Sequence, residues 1–339
     1  MVNSEIKIQW LTKSKAMYSY FNNDQDIQYT GGTLYEVDAI KSLQKYYDVS
    51  VNKNYIKSEN FIKYFYKNHK ISIDANICFL DPYVVAFNKI DFSKYNIAII
   101  HHVDESIAEK SFLGKLFLKR LIKNLKKVNE VIVVSQYWKS YLEKRGIKNI
   151  HIIYNSYSLS DFELENVEVS ILKKRLNLNE HKPVIYLGKF GEGKGVNKIL
   201  SHIDQSKYNL VTTGKNVPER AGLKSVYLSK KEFPMLLKIA DVVLAMSTMP
   251  EGWNRIAHEA LLVKTPVIGS GTGGMRELLE RSGQKIVNDY SSLDQEIETC
   301  INNKIQLGNS GYDFVKQFDM NYFESRWLEL MSQIEVKIN

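Results

Sequence analysis

Two carboxylates and the start of a helix carry the most direct chemistry in this chain. Glu251 and Glu259 stand with seven residues between them, and Gly252, Trp253, Asn254 and Arg255 follow the first directly. Ile256, Ala260, Leu261 and Val263 recur at helical spacing, which predicts a helix beginning near Asn254. The first backbone N–H groups of a helix lack partners within it and sit at the positive end of its dipole, an arrangement that suits phosphate. Eight residues of helix rise by about 12 Å, the span from the sugar to the ribose of a nucleotide sugar lying past the helix start. One carboxylate would then hold hexose hydroxyls and the other ribose hydroxyls, because an ionised carboxylate only accepts. The plainer alternative is a solvated loop glutamate and a helix-face glutamate.

A second phosphate handle lies upstream. Pro183 to Leu187 reads as a buried strand that runs into Gly188, Lys189, Phe190, Gly191, Glu192, Gly193, Lys194 and Gly195. Two cations on a glycine-rich turn would neutralise the charge growing on a diphosphate leaving group. The same string falls one residue short of a phosphate-binding loop, since Gly195 stands where the Ser or Thr that holds magnesium is required. That argues against an ATPase or kinase and leaves a P-loop-like nucleotide-binding protein as an alternative. Tyr95 to Ile100 reads as another strand, ending in His101, His102, Val103 and Asp104. A histidine at the carboxyl end of a parallel strand opens onto the crevice where open α/β sheets bind ligands, although a core or capping histidine is the competing reading.

The elements that must position these groups are short apolar runs, Asp241 to Ala245 and Thr265 to Gly269, bounded by polar or glycine residues, as expected of strands covered on both faces. The stretch resembles the retaining, nucleotide-sugar-dependent glycosyltransferases of family 4. The residues that carry the resemblance are Thr248, Glu251, Gly252, Trp253, Glu259, Thr265, Pro266, Val267, Ile268, Gly273, Gly274 and Glu277. Asn254 and Lys264 replace family glycines, and Ser247 replaces a proline. Ser135, Gly146, Ile152, Asn155 and Phe162 match the end of the family's first domain, with Ser156 in place of a glycine.

The resemblance implies an α/β chain with the GT-B fold: two Rossmann-like, doubly wound domains facing across a cleft, with a C-terminal helix crossing back to the N-terminal domain. The expected division is an acceptor-binding domain of residues 1–160 plus the crossover helix 318–339, and a nucleotide-sugar domain of residues 161–317. It also implies the roles. Lys189, Lys194 and the backbone after Gly252, with Trp253, Asn254 and Arg255, hold the donor; Glu259 binds ribose; Glu251 and His101, with His102 as second choice, address the sugar. Gly31 and Gly32 match the first loop that closes over donor and acceptor, although the pair alone also reads as an ordinary turn before a helix from Leu34 to Tyr46. No cofactor and no metal are expected. The implied reaction moves a hexosyl unit from a UDP- or GDP-sugar to a glycan or lipid-linked acceptor, in cell-surface polysaccharide or glycolipid synthesis.

Composition agrees with a foldable two-domain chain: 339 residues, 44% hydrophobic and 25% charged. No apolar run approaches the roughly 20 residues that cross a bilayer, and the N-terminus lacks a signal-peptide core, so a cytoplasmic location is expected. Cys78 and Cys300 lack metal-ligand spacing and read as reduced core residues. The formal charge of +8 points to anionic partners. Nucleic acid is not expected, because no zinc-ligand set, ribonucleoprotein motif or helix-turn-helix pattern is present. Residues 108–127 read as one amphipathic helix, with Leu113, Phe117, Leu121 and Leu125 on one stripe and Lys115, Lys119, Lys123 and Lys127 on another. Such a lysine row suits either solvent or the anionic inner face of a membrane.

Two further patterns have spacings known from other chemistry. Asp24-Gln25-Asp26 has a chelating spacing but follows no buried strand, so a solvated loop is expected. Lys53 to Lys70 interleaves lysine with Tyr55, Tyr64, Phe65 and Tyr66, which suits a helix with a buried aromatic face better than a single-strand platform. Competing functions are a nucleotide-sugar-binding protein without turnover, and a phosphorylase or epimerase on the same fold.

Overall fold

The computed structural model describes residues 3–21, 30–51, 73–87, 90–214, 216–220 and 222–338. The Asp24-Gln25-Asp26 stretch and all of Lys53 to Lys70 lie outside the described residues. The chain forms two compact units, Met1–Asn155 with Asn321–Asn339, and Ser156–Met320.

The first unit is built on a parallel sheet of β1 (Asn3–Leu11), β2 (Tyr47–Val51), β3 (Ile77–Leu80), β4 (Tyr95–Ile100), β5 (Glu130–Val133) and β6 (Ile150–Ile152), in the order β2-β1-β3-β4-β5-β6. Every residue of β3 and β5 is buried, as expected of strands with helices on both faces. The C-terminal helix Met320–Ile338 packs on this sheet through a stripe of Phe323, Trp327, Leu330, Met331 and Ile334, spaced to line one face. Trp327 meets Phe79 at 5.5 Å and Trp10 at 6.2 Å between ring centroids. At the amino ends of the strands Glu130, 1% exposed, accepts from Tyr95 Oη at 2.6 Å and Lys337 Nζ at 2.6 Å and lies 2.8 Å from His151 Nε2. This clamp ties the last turn of the chain to β4, β5 and β6.

A short helix, Lys15–Phe21, forms where the sequence carries no helical period; of its described side chains only Met17 is fully buried. Two local expectations are corrected here. Gly31 and Gly32 are the first turn of the helix Gly31–Leu43 rather than a turn before it, because Thr30 caps that helix by accepting from the Thr33 N–H. Residues 108–127 form two helices, Ser106–Lys110 and Phe112–Leu125, broken at Ser111. Ser111 is extended and its hydroxyl accepts from the Gly114 N–H at 3.0 Å. Gly114 lets the second helix press on the first: a Cβ there would come within 1.9 Å of the Ile107 carbonyl oxygen.

The second unit repeats the layout with β7 (Val184–Lys189), β8 (Asn209–Thr213), β9 (Leu223–Val226), β10 (Val242–Ala245), β11 (Val267–Gly269) and β12 (Lys285–Ile286), in the order β12-β11-β10-β7-β8-β9. Ile185, Leu187, Leu244 and Ile268 from the central strands pack with Val196, Ile199, Leu293 and Ile297 from flanking helices. The polar stretch Asp161 to Lys174 lies largely in the helix Asn166–Arg175 of this unit, where only Leu172 is buried. Two of the three positions where a family glycine is replaced keep a left-handed backbone, Asn254 at φ 69° and Lys264 at φ 60°. Asparagine tolerates this conformation; lysine does so at a cost of about 1–2 kcal/mol.

Candidate active site

In the second sheet the strand order reverses between β7 and β10, and a doubly wound sheet binds ligands at the carboxyl ends of strands flanking such a point. The glycine-rich loop after β7 lies directly against the chain that leaves β10. Gly195, at φ 78°, passes so close that a Cβ would sit 2.1 Å from the Met246 carbonyl oxygen. The Thr248 N–H donates to the Gly193 carbonyl at 2.9 Å. Ser247, in the proline position, places its hydroxyl 3.1 Å from both the Gly193 and Met249 carbonyls, so it stitches the two loops instead of stiffening one.

The loop after β11 closes the third side. Glu251 donates its N–H to the Thr272 carbonyl at 3.3 Å and accepts from the Gly274 N–H at 2.8 Å. Gly273, at φ 64°, makes this approach possible, since a Cβ would meet the Glu251 carbonyl oxygen at 2.4 Å and its nitrogen at 2.6 Å. Glu251 is thus gripped by backbone on one side while Lys194 Nζ stands 2.7 Å from its Oε1 on the other. This charge-assisted contact brings together the two motifs that lie 57 residues apart in the chain. Lys189 stands exposed at the end of β7, in register with Thr213 of β8.

The helix framed by the two glutamates runs Arg255–Leu262. Asn254 is its cap, its Oδ1 accepting from the Ala257 N–H at 2.9 Å, so the side chain expected at the donor is committed to the helix itself. Gly252 lies half-buried just ahead of the cap. Glu259, with 16% of its side chain exposed, faces Arg255 Nε at 3.6 Å. Burial pushes the Glu259 carboxyl up from its ordinary value, opposed by the positive charges of Arg255 and Lys230. The guanidinium of Arg255 stacks over Tyr157 at 4.4 Å.

Trp253 departs from its expected role as a donor contact. It is 2% exposed and donates its indole N–H to His258 Nδ1 at 2.9 Å. His258 is fully buried against Tyr157, at 4.3 Å between ring centroids, and burial, aided by Arg255, pushes its imidazole down to about 3. This neutral histidine holds the indole, and through it the Gly252–Asn254 turn, from behind. Sequence reasoning missed His258 and Tyr157; the available signal was a histidine on the inward face of the helix, five residues after a tryptophan.

In the first unit the carboxyl ends of β1, β3 and β4 carry the polar groups. His101, just past β4, lies with Nε2 3.3 Å from Glu36 Oε1, and Glu36 accepts from Trp10 Nε1 at 2.8 Å through its other oxygen. Gly32 leaves room for the imidazole, because a Cβ there would come 3.0 Å from His101 Cδ2. His102 is exposed to solvent. Asp81, at the end of β3, accepts from the Val84 N–H at 2.8 Å, and burial lifts its carboxyl to about 6 against that bond and the Lys13 N–H.

Two six-stranded, parallel, doubly wound sheets with a C-terminal helix returned to the first give the chain the GT-B glycosyltransferase fold. The chain is 25% identical over 285 residues to an uncharacterized glycosyltransferase of Methanocaldococcus jannaschii, spanning 79% of this chain and 74% of that one. It is similar to the solved sucrose-phosphate synthase of Thermosynechococcus elongatus, with a TM-score of 0.77 and 16% identity over 98% of this chain and 100% of that one. Anabaena HepE, solved in complex with UDP-glucose, superposes with a TM-score of 0.69 and 16% identity over 97% of this chain and 100% of that one. No protein-family model matches the chain.

Proposed function

We propose that this protein is a retaining glycosyltransferase of the family 4 type, moving a hexosyl unit from a UDP- or GDP-sugar to a glycan or lipid-linked acceptor. The observation that carries the reading is the convergence of Lys194, Glu251 and the start of the Arg255–Leu262 helix at the switch point of the second sheet. Lys189, Lys194 and the backbone N–H groups beyond Gly252 take the diphosphate, Glu259 the ribose hydroxyls, and Glu251 and His101 the sugar. The name of the curated relative and the nucleotide-sugar complex of HepE support a nucleotide-sugar donor.

Departure of the diphosphate builds negative charge beside the two lysines, which stabilise it without a metal. The acceptor hydroxyl attacks the anomeric carbon from the face the diphosphate leaves, a donor phosphate oxygen takes its proton, and the configuration is kept. Asn254 serves as cap, and Trp253 with His258 supports the turn rather than touching the donor. Glu251→Ala removes a half-buried side chain whose acid pairs with Lys194 on the loop surface of the second unit, so transfer is expected to vanish with folding intact. Equal activity in that variant overturns the role.

The proposed setting is the inner face of a membrane, in cell-surface polysaccharide or glycolipid synthesis. Phe112 is 80% exposed and Leu113 46% exposed at the head of the helix that carries Lys115, Lys119 and Lys123. Each lysine near an anionic surface adds about 1 kcal/mol. Among the described residues no helix is long and apolar enough to cross a membrane. Co-flotation with phosphatidylglycerol vesicles but not with phosphatidylcholine vesicles is expected; equal recovery in both removes this part of the proposal.

A further inference from the structure

The Glu36–His101 pair has a geometry that an incidental surface contact lacks. Glu36 is only 7% exposed, and its two oxygens have separate tasks: Oε2 accepts from the buried indole of Trp10 at 2.8 Å, which leaves Oε1 3.3 Å from His101 Nε2. The imidazole plane is set by its neighbours. The Tyr35 ring meets it edge-on at 5.1 Å and 85°, and the Gly32 backbone lies along its Cδ2 side. Tyr35 is itself fixed by donating its hydroxyl to the Ile153 carbonyl at 3.0 Å. With the ring plane held and a carboxylate oxygen at Nε2, the open question of the imidazole is where its proton sits. An acceptor-only oxygen demands a proton on the nitrogen facing it.

We infer that Glu36 is a positioning residue that fixes His101 as the Nε2–H tautomer, so that Nδ1 offers a lone pair to a hydroxyl of the bound sugar. This rests on the proposed role of His101 at the donor sugar. A neutral Nε2–H imidazole can accept one hydroxyl proton at Nδ1 but can donate nothing there. Glu36→Gln keeps the shape and changes the instruction: the amide oxygen continues to accept from Trp10, while the amide N–H₂ takes the place of Oε1 and donates to Nε2. The proton must then move to Nδ1, which can no longer accept from the sugar hydroxyl and forces that hydroxyl to turn and accept instead.

The test is nitrogen-15 spectroscopy of the full chain labelled in histidine, with His101 assigned by comparison with His101→Gln, together with transfer kinetics. In the unsubstituted protein His101 should carry its proton on Nε2 alone. Glu36→Gln should move that proton to Nδ1 and lower kcat/KM for transfer by about 10- to 100-fold, the effect of one mispaired hydrogen bond. If Glu36→Gln does not fold, Trp10→Phe frees Oε2 and should turn the single His101 tautomer into a mixture. A proton on Nδ1, or on both nitrogens, in the unsubstituted protein overturns the inference. So does a clean tautomer change with undiminished transfer. The spectra need no turnover, so a protein that transfers nothing while showing the expected tautomers counts against the proposed function alone.

Discussion

Gly273→Ala probes how the site is built without replacing any side chain proposed to meet the donor. The alanine Cβ would lie 2.4 Å from the Glu251 carbonyl oxygen, 2.6 Å from its nitrogen and 2.9 Å from the Pro250 carbonyl carbon. All three are backbone atoms, so no rotamer change relieves the contact, and ordinary van der Waals separation requires the Glu251 segment to retreat by about 1 Å. The left-handed φ of 64° adds a cost of about 1–2 kcal/mol for any residue with a Cβ. The melting temperature of the second unit should therefore fall by about 2–8 °C. A displacement of about 1 Å at a positioned group can cost about 100-fold in rate. The assay is donor-dependent release of nucleoside diphosphate, with folding followed by circular dichroism. A folded Gly273→Ala protein with transfer within a few-fold of the unsubstituted enzyme would refute the claim that backbone contact between the two loops places Glu251.

Three further outcomes follow from the same geometry. His258 binds its proton far less readily in the folded state, at about 3 against an ordinary 6.5, so its contribution to stability is present above pH 6.5 and is lost as pH falls toward 3. Thermal melts should show that decline, and His258→Leu with Trp253→Phe should remove it while remaining more stable than His258→Leu alone, which strands a buried indole N–H. In Glu130, burial is outweighed by bonds from His151, Lys337 and Tyr95, which hold its carboxyl down at about 2 against an ordinary 4.5; the clamp stabilises above pH 4.5 and weakens as pH falls toward 2. Near-ultraviolet dichroism of the Trp10–Trp327 cluster should report the release, and Glu130→Gln should weaken the clamp at neutral pH and remove this pH dependence. Lys264→Gly relieves a φ of 60° and should raise the melting temperature, by an amount equivalent to about 1 kcal/mol; a lower one would show that the stacking of Lys264 over Tyr312 matters more.

What the sequence made legible follows from which signals burial writes into it. β4 appears at its sequence-expected bounds, Tyr95–Ile100, because central parallel strands are apolar on both faces. The glycine loop after β7 and the Glu251 loop were readable as separate phosphate and sugar handles, and Lys194 shows why both were needed. The direction of Trp253 was not readable: an aromatic between two ligand-type residues looks like a ligand contact until its N–H partner, His258, is seen behind it. The break at Ser111 was written in the chain as a serine three residues before a glycine, but a continuous lysine and leucine periodicity across residues 108–127 masked it. The helix Lys15–Phe21 and the start of Asn166–Arg175 each bury too few side chains to produce a period. Glu36 gave no sign at all, since it lies mid-helix and acquires its meaning only from Trp10 and His101, strands away.

The most direct measurement is calorimetric titration of the purified protein with UDP-glucose and GDP-mannose, repeated with Lys194→Ala and Glu259→Ala. The account predicts saturable binding of one nucleotide sugar, weakened at least about tenfold by each substitution, as expected when a charged hydrogen-bond partner is lost. Binding of neither compound, or binding that both variants leave unchanged, would contradict it.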